Sequence, residues 1–277
     1  MRIFLVRHGE SQANVERGVH SVVPDHDIAL TNDGMDQALE AGKFLKGYIQ
    51  KYPVTPSVGD QMAQQVVQSL MGGLGNLLSN NPAVAGNPEI MKRIGSNGMP
   101  VFKARLWNSP YRRARETARI IGGQAKDVIL DAREDVLLCE QQFGLFDGKN
   151  KEEVTKLFPE ESKCFDHQKK ANGKFWARYP QGESAFDVAC RLRQFFGTIK
   201  RDESDKQVFD IIVVCHGTVL RLFTQMWLHK PWEWFGAEPN PGNCAVRLLE
   251  GNRDGGYVFP GYMDGKEWEY EGNKYDQ

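Results

Sequence analysis

Residues 2–9 read RIFLVRHG, an unbroken apolar stretch from Ile3 to Val6 that stops at Arg7, His8 and Gly9. A run this short, apolar at every position instead of every second one, predicts a strand buried on both faces, as in a parallel sheet covered by helices. The basic residue, imidazole and glycine at its end predict a tight loop that presents polar groups where the chain leaves the sheet. Three further segments have the same character: KARLW (103–107), DVILD (127–131) and DIIVVC (210–215). Helical spacing lies between them, over 31–49 with Thr31 as cap, over 111–122 ending at glycine, and over 184–199. Strands alternating with helices predict an α/β fold, a three-layer α/β/α sandwich with a mainly parallel central sheet.

The rest of the chain bounds what this sheet can serve. With 277 residues, 40% of them hydrophobic, it can bury a sizeable core. A net charge of -1 and a pI near 6.6 offer no general attraction to nucleic acid or anionic lipid, so neither is expected as a partner. The five cysteines are scattered, with no C-x-x-C pair, which points to a reducing, cytoplasmic setting and to neither a disulfide framework nor a zinc site. No apolar run has the length of a signal segment or a membrane span. Residues 53–100, rich in Gly, Asn, Gln and Met, interrupt the alternation and read as an insertion in a single domain spanning 1–250, with 251–277 as a C-terminal tail. A helix is expected over Asp60–Leu78, its stripe of Met62, Val66, Leu70 and Leu74 serving as core or as a contact surface.

The strand at 210–215 runs into VVCHG (213–217), an echo of LVRHG (5–9). Ligands of open parallel sheets bind beyond the carboxyl ends of the strands. If the two strands are neighbours, His8 and His216 face one pocket. Such a pocket suits a phosphate monoester, which needs fixed positive charge and the planar donor fork of arginine. Arg7 is one source; SPYRRARETA (109–118) offers Arg112, Arg113 and Arg115, which cannot all point inward from one helix. A neutral imidazole can attack phosphorus, and a second, cationic one can stabilise the equatorial oxygens. Glu140, in LLCEQQFGLFDG (137–148), is placed where burial would raise its pKa enough for a general acid, although alone it would read as a loop carboxylate.

In chain order the segments LVRHGESQAN (5–14), DIALTNDGMDQA (27–38), SPYRRARETA (109–118), Glu140 with Phe143-Gly144, YPQGES (179–184), VVCHGTVLR (213–221) and GNCAV (242–246) cover most of residues 1–250 outside the insertion. Together they resemble the histidine phosphatase superfamily, also called phosphoglycerate mutase-like. The resemblance implies a phosphohistidine on His8, a phosphoryl grip by Arg7 and Arg113, phosphate contacts from Asn14, His216, the Gly217 amide and Asn243, and Glu140 as proton donor. It implies neither metal nor cofactor, and a small phosphorylated substrate such as a sugar phosphate.

Gln141 stands where mutases of the family carry arginine, and GVHSVVPDHD (18–27) where they carry Thr-Gly-Trp. Hydrolysis by a histidine acid phosphatase-type monoesterase is therefore expected over a cofactor-dependent phosphoglycerate mutase. A fructose-2,6-bisphosphatase-like sugar phosphatase is the nearer alternative, suggested by RYPQGESAFD (178–187). A regulatory or binding module using the 53–100 insertion is the alternative of a different class, and a homo-oligomer is compatible with either.

Overall fold

The computed structural model describes residues 1–52, 103–206 and 208–273. The expected helix over 60–78, its stripe and the 53–100 insertion lie outside the described residues. Six strands form one sheet in the order β3-β2-β4-β1-β5-β6: β1 (Arg2–Arg7), β2 (Ala104–Asn108), β3 (Ile129–Glu134), β4 (Asp210–Cys215), β5 (Val246–Glu250) and β6 (Arg253–Phe259). The pairs β1·β4, β4·β2 and β2·β3 are parallel; β5 and β6 add an antiparallel margin.

The unbroken apolar runs are explained by helices on both faces. Alternate residues Ile3, Leu5, Ile211 and Val213 point to one core, which α5 (Ala185–Lys206) and α6 (Gly217–Trp227) cover. Phe4, Val6, Leu106, Ile212 and Val214 point to the other, under α1 (Asn32–Lys51) and α2 (Arg112–Gln124). Thr31 caps α1 by accepting from the Gly34 amide at 3.0 Å. Two shorter helices, α3 (Lys151–Leu157) and α4 (Pro159–Asn172), lie beyond β3, and α7 (Trp232–Ala237) follows α6. Among the described residues no helix is long and apolar enough to cross a membrane.

The sheet does not end at residue 250. Glu250 and Arg253 pair across the two-residue turn Gly251-Asn252, with Gly251 at φ 57°, and β6 continues the sheet. Beyond it Trp268 and Asn273 are buried, Asn273 donating to the Trp234 carbonyl and to Glu238. Residues 251–273, expected as part of a C-terminal tail, thus pair with the sheet and pack against Trp234 and Glu238. The glycine-rich stretch conceals a strand because an edge strand keeps only part of its surface from water.

Candidate active site

The carboxyl ends of four strands deliver the polar groups. Arg7 and Cys215 are register partners on β1 and β4, and the His8 amide donates to the Cys215 carbonyl at 2.9 Å, so His8 and His216 leave the sheet side by side. Their ring centroids are 5.1 Å apart, with the planes inclined at 62°. The chain turns sharply after His8 and packs against the start of α1; a Cβ on Gly9 would meet the Gly34 carbonyl oxygen at 2.4 Å, which is why glycine stands there. Thr117 of α2 accepts from the Gly9 amide at 3.0 Å and fixes the loop.

His8 Nδ1 lies 2.7 Å from the Gly9 carbonyl oxygen. A carbonyl only accepts, so the neutral ring carries its proton on Nδ1 and keeps the Nε2 lone pair free. Burial, then the charges of Arg113 and Arg7, hold this imidazole well below its usual pKa. His216 is also pushed well down, by burial first and then by Arg113 and His8, so its surroundings favour the neutral ring and not the expected cation. His216 Nε2 is 2.8 Å from Ser109 Oγ, and the ring packs edge-on against Tyr111 at 5.2 Å. His216 Nδ1 and Arg7 Nε are buried without hydrogen-bond partners among the described residues.

Six of the residues singled out from sequence, Arg7, His8, Asn14, Arg113, Glu140 and Gly217, line one cavity of about 600 Å³, whereas His216 packs against His8 without being part of that lining. Arg7 is buried, anchored by donation to the Pro241 carbonyl at 2.5 Å, and lowered by burial to a pKa of about 10, so it stays charged at neutral pH. Arg113 is buried against the Tyr111 ring at 5.0 Å, while Arg112 and Arg115 are exposed and pair with Glu116 and Glu134. Gly217 opens α6, where the free amides of a helix start meet the cavity. Asn14 Oδ1 accepts from the amide and hydroxyl of Ser11 and from Asn243 Nδ2, leaving its own amide as donor. Asn243 differs from expectation: its Nδ2 donates to the His8 carbonyl and Asn14, so it braces the loop from behind and does not line the cavity.

Glu140 follows β3 through the turn Val136–Leu138. Desolvation raises its pKa, against the Gln141 amide it accepts from and the charges of Arg113, Arg221 and Arg191. Arg191 of α5 holds this segment by donating to the carbonyls of Leu137, Cys139 and Glu140, and is itself held by Glu183. Asp25, on the loop before α1, takes Arg113 through both carboxylate oxygens, at 2.9 and 3.3 Å, and through its carbonyl at 2.6 Å. Sequence reasoning missed Asp25, Ser109, Tyr111 and Arg191. Ser109 and Tyr111 sit inside the segment that supplies Arg113, but no spacing rule separates them from its other residues.

Comparison with known proteins places this geometry. The family model described as histidine phosphatase superfamily (branch 1) matches residues 3–55 and 96–259. The phosphoglycerate mutase-like protein AT74 of Arabidopsis thaliana is 30% identical over 264 residues, covering 92% of this chain, which spans 66% of that protein's length. The broad-range acid phosphatase DET1 of Saccharomyces cerevisiae is 26% identical over 303 residues, covering 90% of this chain and 84% of its own. Among solved structures, a mycobacterial glucosyl-3-phosphoglycerate phosphatase complexed with VO3 shares the fold at a TM-score of 0.55 and 19% identity, over 98% of this chain and 97% of its own. Because the family match runs through all six strands and both histidine loops, the chain belongs to the histidine phosphatase superfamily.

Proposed function

We propose that the protein is a metal-independent phosphomonoesterase that forms a phosphohistidine on His8. The observation that carries this reading is the Nδ1 bond from His8 to the Gly9 carbonyl, which leaves Nε2 as a nucleophile, together with two buried polar atoms, Arg7 Nε and His216 Nδ1, that have no partner among the described residues. Buried polar groups without partners are rare in native proteins, and phosphoryl oxygens would satisfy both.

In the first step the Nε2 lone pair forms a bond to phosphorus as the ester P–O bond breaks, and the departing oxygen takes the Glu140 proton. The imidazole keeps its Nδ1 proton on Gly9 and becomes cationic. In the second step water attacks the phosphoryl group and gives a proton to the Glu140 carboxylate. The P–N bond breaks and neutral His8 returns. Arg7, Arg113, His216, Asn14 and the Gly217 amide bind the equatorial oxygens, supplying the charge stabilisation that dominates phosphoryl transfer.

Transfer to water is favoured over return to a second hydroxyl because Gln141, where mutases of the family carry arginine, is buried and donates to the Glu183 carbonyl at 3.0 Å. The name of the yeast relative, a broad-range acid phosphatase, agrees with that preference. The test is phosphate release from a panel of sugar phosphates and phosphoglycerates in chelator-treated buffer, with His8→Ala in parallel. Release by the wild type and none by the variant is expected. Conversion of 3-phosphoglycerate to its 2-isomer without net phosphate loss would overturn the hydrolytic reading.

A further inference from the structure

The phosphoryl site proposed above, at Arg7, His8 and Arg113, takes up only part of the cavity. A space of about 600 Å³ falls within the range that takes a whole small-molecule ligand. Among the described residues its lining includes four aromatic side chains, Phe143, Phe146, Phe165 and Tyr179, each only partly exposed. Phe165 stacks on Tyr179 with centroids 4.5 Å apart; Phe143 and Phe146 meet Tyr179 edge-on at 5.1 and 6.0 Å, and Phe146 meets Phe165 at 5.6 Å. Isolated exposed rings are ordinary, but four mutually packed rings turned to one cavity are not.

The wall is held in place by backbone. The Leu145 amide donates to the Pro180 carbonyl at 3.0 Å and the Glu183 amide to the Gln142 carbonyl at 2.8 Å. The two segments approach so closely that a Cβ on Gly144, at φ 58°, would lie 2.1 Å from the Pro180 oxygen. The charged side chains of the same rim have both signs: Lys149, Lys151 and Lys169 stand among Asp147 and Asp166. Their summed field expresses no single preference, whereas the rings do. Phe143 and Phe146 follow Glu140 by three and six residues and line the same cavity, so the rings and the proton donor of the proposed mechanism come from one segment.

We infer that this aromatic wall is a leaving-group subsite and that the preferred substrates are phosphate monoesters of alcohols bearing a planar or ring-sized apolar group. The inference rests on the hydrolytic reading above and narrows its substrate class.

The test compares 2-phenylethyl phosphate with ethyl phosphate, two alkyl esters whose leaving groups have similar basicity, so a difference reports binding of the ring and not leaving-group chemistry. Burial of the phenyl ring against the wall is expected to raise kcat/KM about tenfold or more, mostly through KM. Phe165→Ala is expected to shrink that ratio severalfold and Phe165→Tyr to restore it. The phosphonate analogues, as competitive inhibitors of the wild type, give the same comparison without any variant having to fold, and the ring-bearing one is expected to bind tighter by a similar factor. Equal kcat/KM for the two esters, or equal inhibition by the two phosphonates, would overturn the subsite while leaving hydrolysis intact. No phosphate release from either ester would instead remove the hydrolytic reading on which the subsite rests.

Discussion

In the proposed mechanism His8 attacks phosphorus among guanidinium groups, and its surroundings suit that role by keeping it neutral. Burial, Arg113 and Arg7 lower its pKa well below the ordinary value, while burial raises that of Glu140. The proposed mechanism needs His8 deprotonated at Nε2 and Glu140 protonated. Activity is therefore lost as pH falls through the depressed His8 pKa and as it rises through the elevated Glu140 pKa, and the kcat/KM profile should peak on the acid side of neutrality. Glu140→Gln is expected to lower kcat by roughly 10²–10⁴ for alkyl phosphates, to lower it far less for p-nitrophenyl phosphate, and to remove the alkaline limb; equal losses on both esters would argue against a proton donor. Asp25 acts on the opposite side of the balance, since its carboxylate holds Arg113 where an incoming phosphate also needs it. Asp25→Asn keeps an acceptor for Arg113 and removes the competing charge, so inhibition by product phosphate should tighten severalfold, read as a fall in its Ki.

The elements explain which of these groups were legible in the sequence. β1 and β4 are unbroken apolar runs through their centres because helices cover both faces, and that pattern, with His-Gly at the end of each, singled out His8 and His216. The groups that orient them left no such mark. Arg191 lies mid-helix in α5 and reaches the carbonyls of Leu137, Cys139 and Glu140 from more than 50 positions away, a contact that no local spacing encodes. Asn243 sits in a segment that the sequence ties to the site, yet only the register of β5 beside β1 turns it behind the His8 loop. Arg191→Met should lower kcat more than it raises KM and flatten the alkaline limb of the pH profile, because the proposed proton donor, Glu140, loses its anchor. Gly9→Ala is a test of backbone packing: its Cβ would strike the Gly34 carbonyl, and a stability loss of about 1–3 kcal/mol is expected in denaturant unfolding.

At the scale of the molecule, one sheet with two helical faces carries the site on the ends of its parallel strands, and the margin β5–β6 closes the β1 side. The edge was hidden because Gly251, Gly255 and Gly256 dilute the apolar pattern of residues 246–259. Inside the fold Arg105 is fully buried on β2 and donates to Asp131 and to Asp202 of α5, linking sheet to helix. Asp202→Ala leaves that cation short of a partner, and a loss of about 3–5 kcal/mol in global stability is expected, with the pH profile of surviving activity unchanged. We propose residues 53–100 as an insertion in this single domain. Replacing 58–98 with a short Gly-Ser linker should preserve cooperative unfolding and phosphate release; loss of folding would show that the segment belongs to the core.

The most direct test of the nucleophile is to mix the chelator-treated protein with a ³²P-labelled phosphate ester, quench within milliseconds in alkali, and map the label. A phosphohistidine mechanism requires alkali-stable, acid-labile phosphate on the peptide containing His8 and none on His8→Ala. Turnover by wild type with no such label, or label retained by the variant, would contradict it.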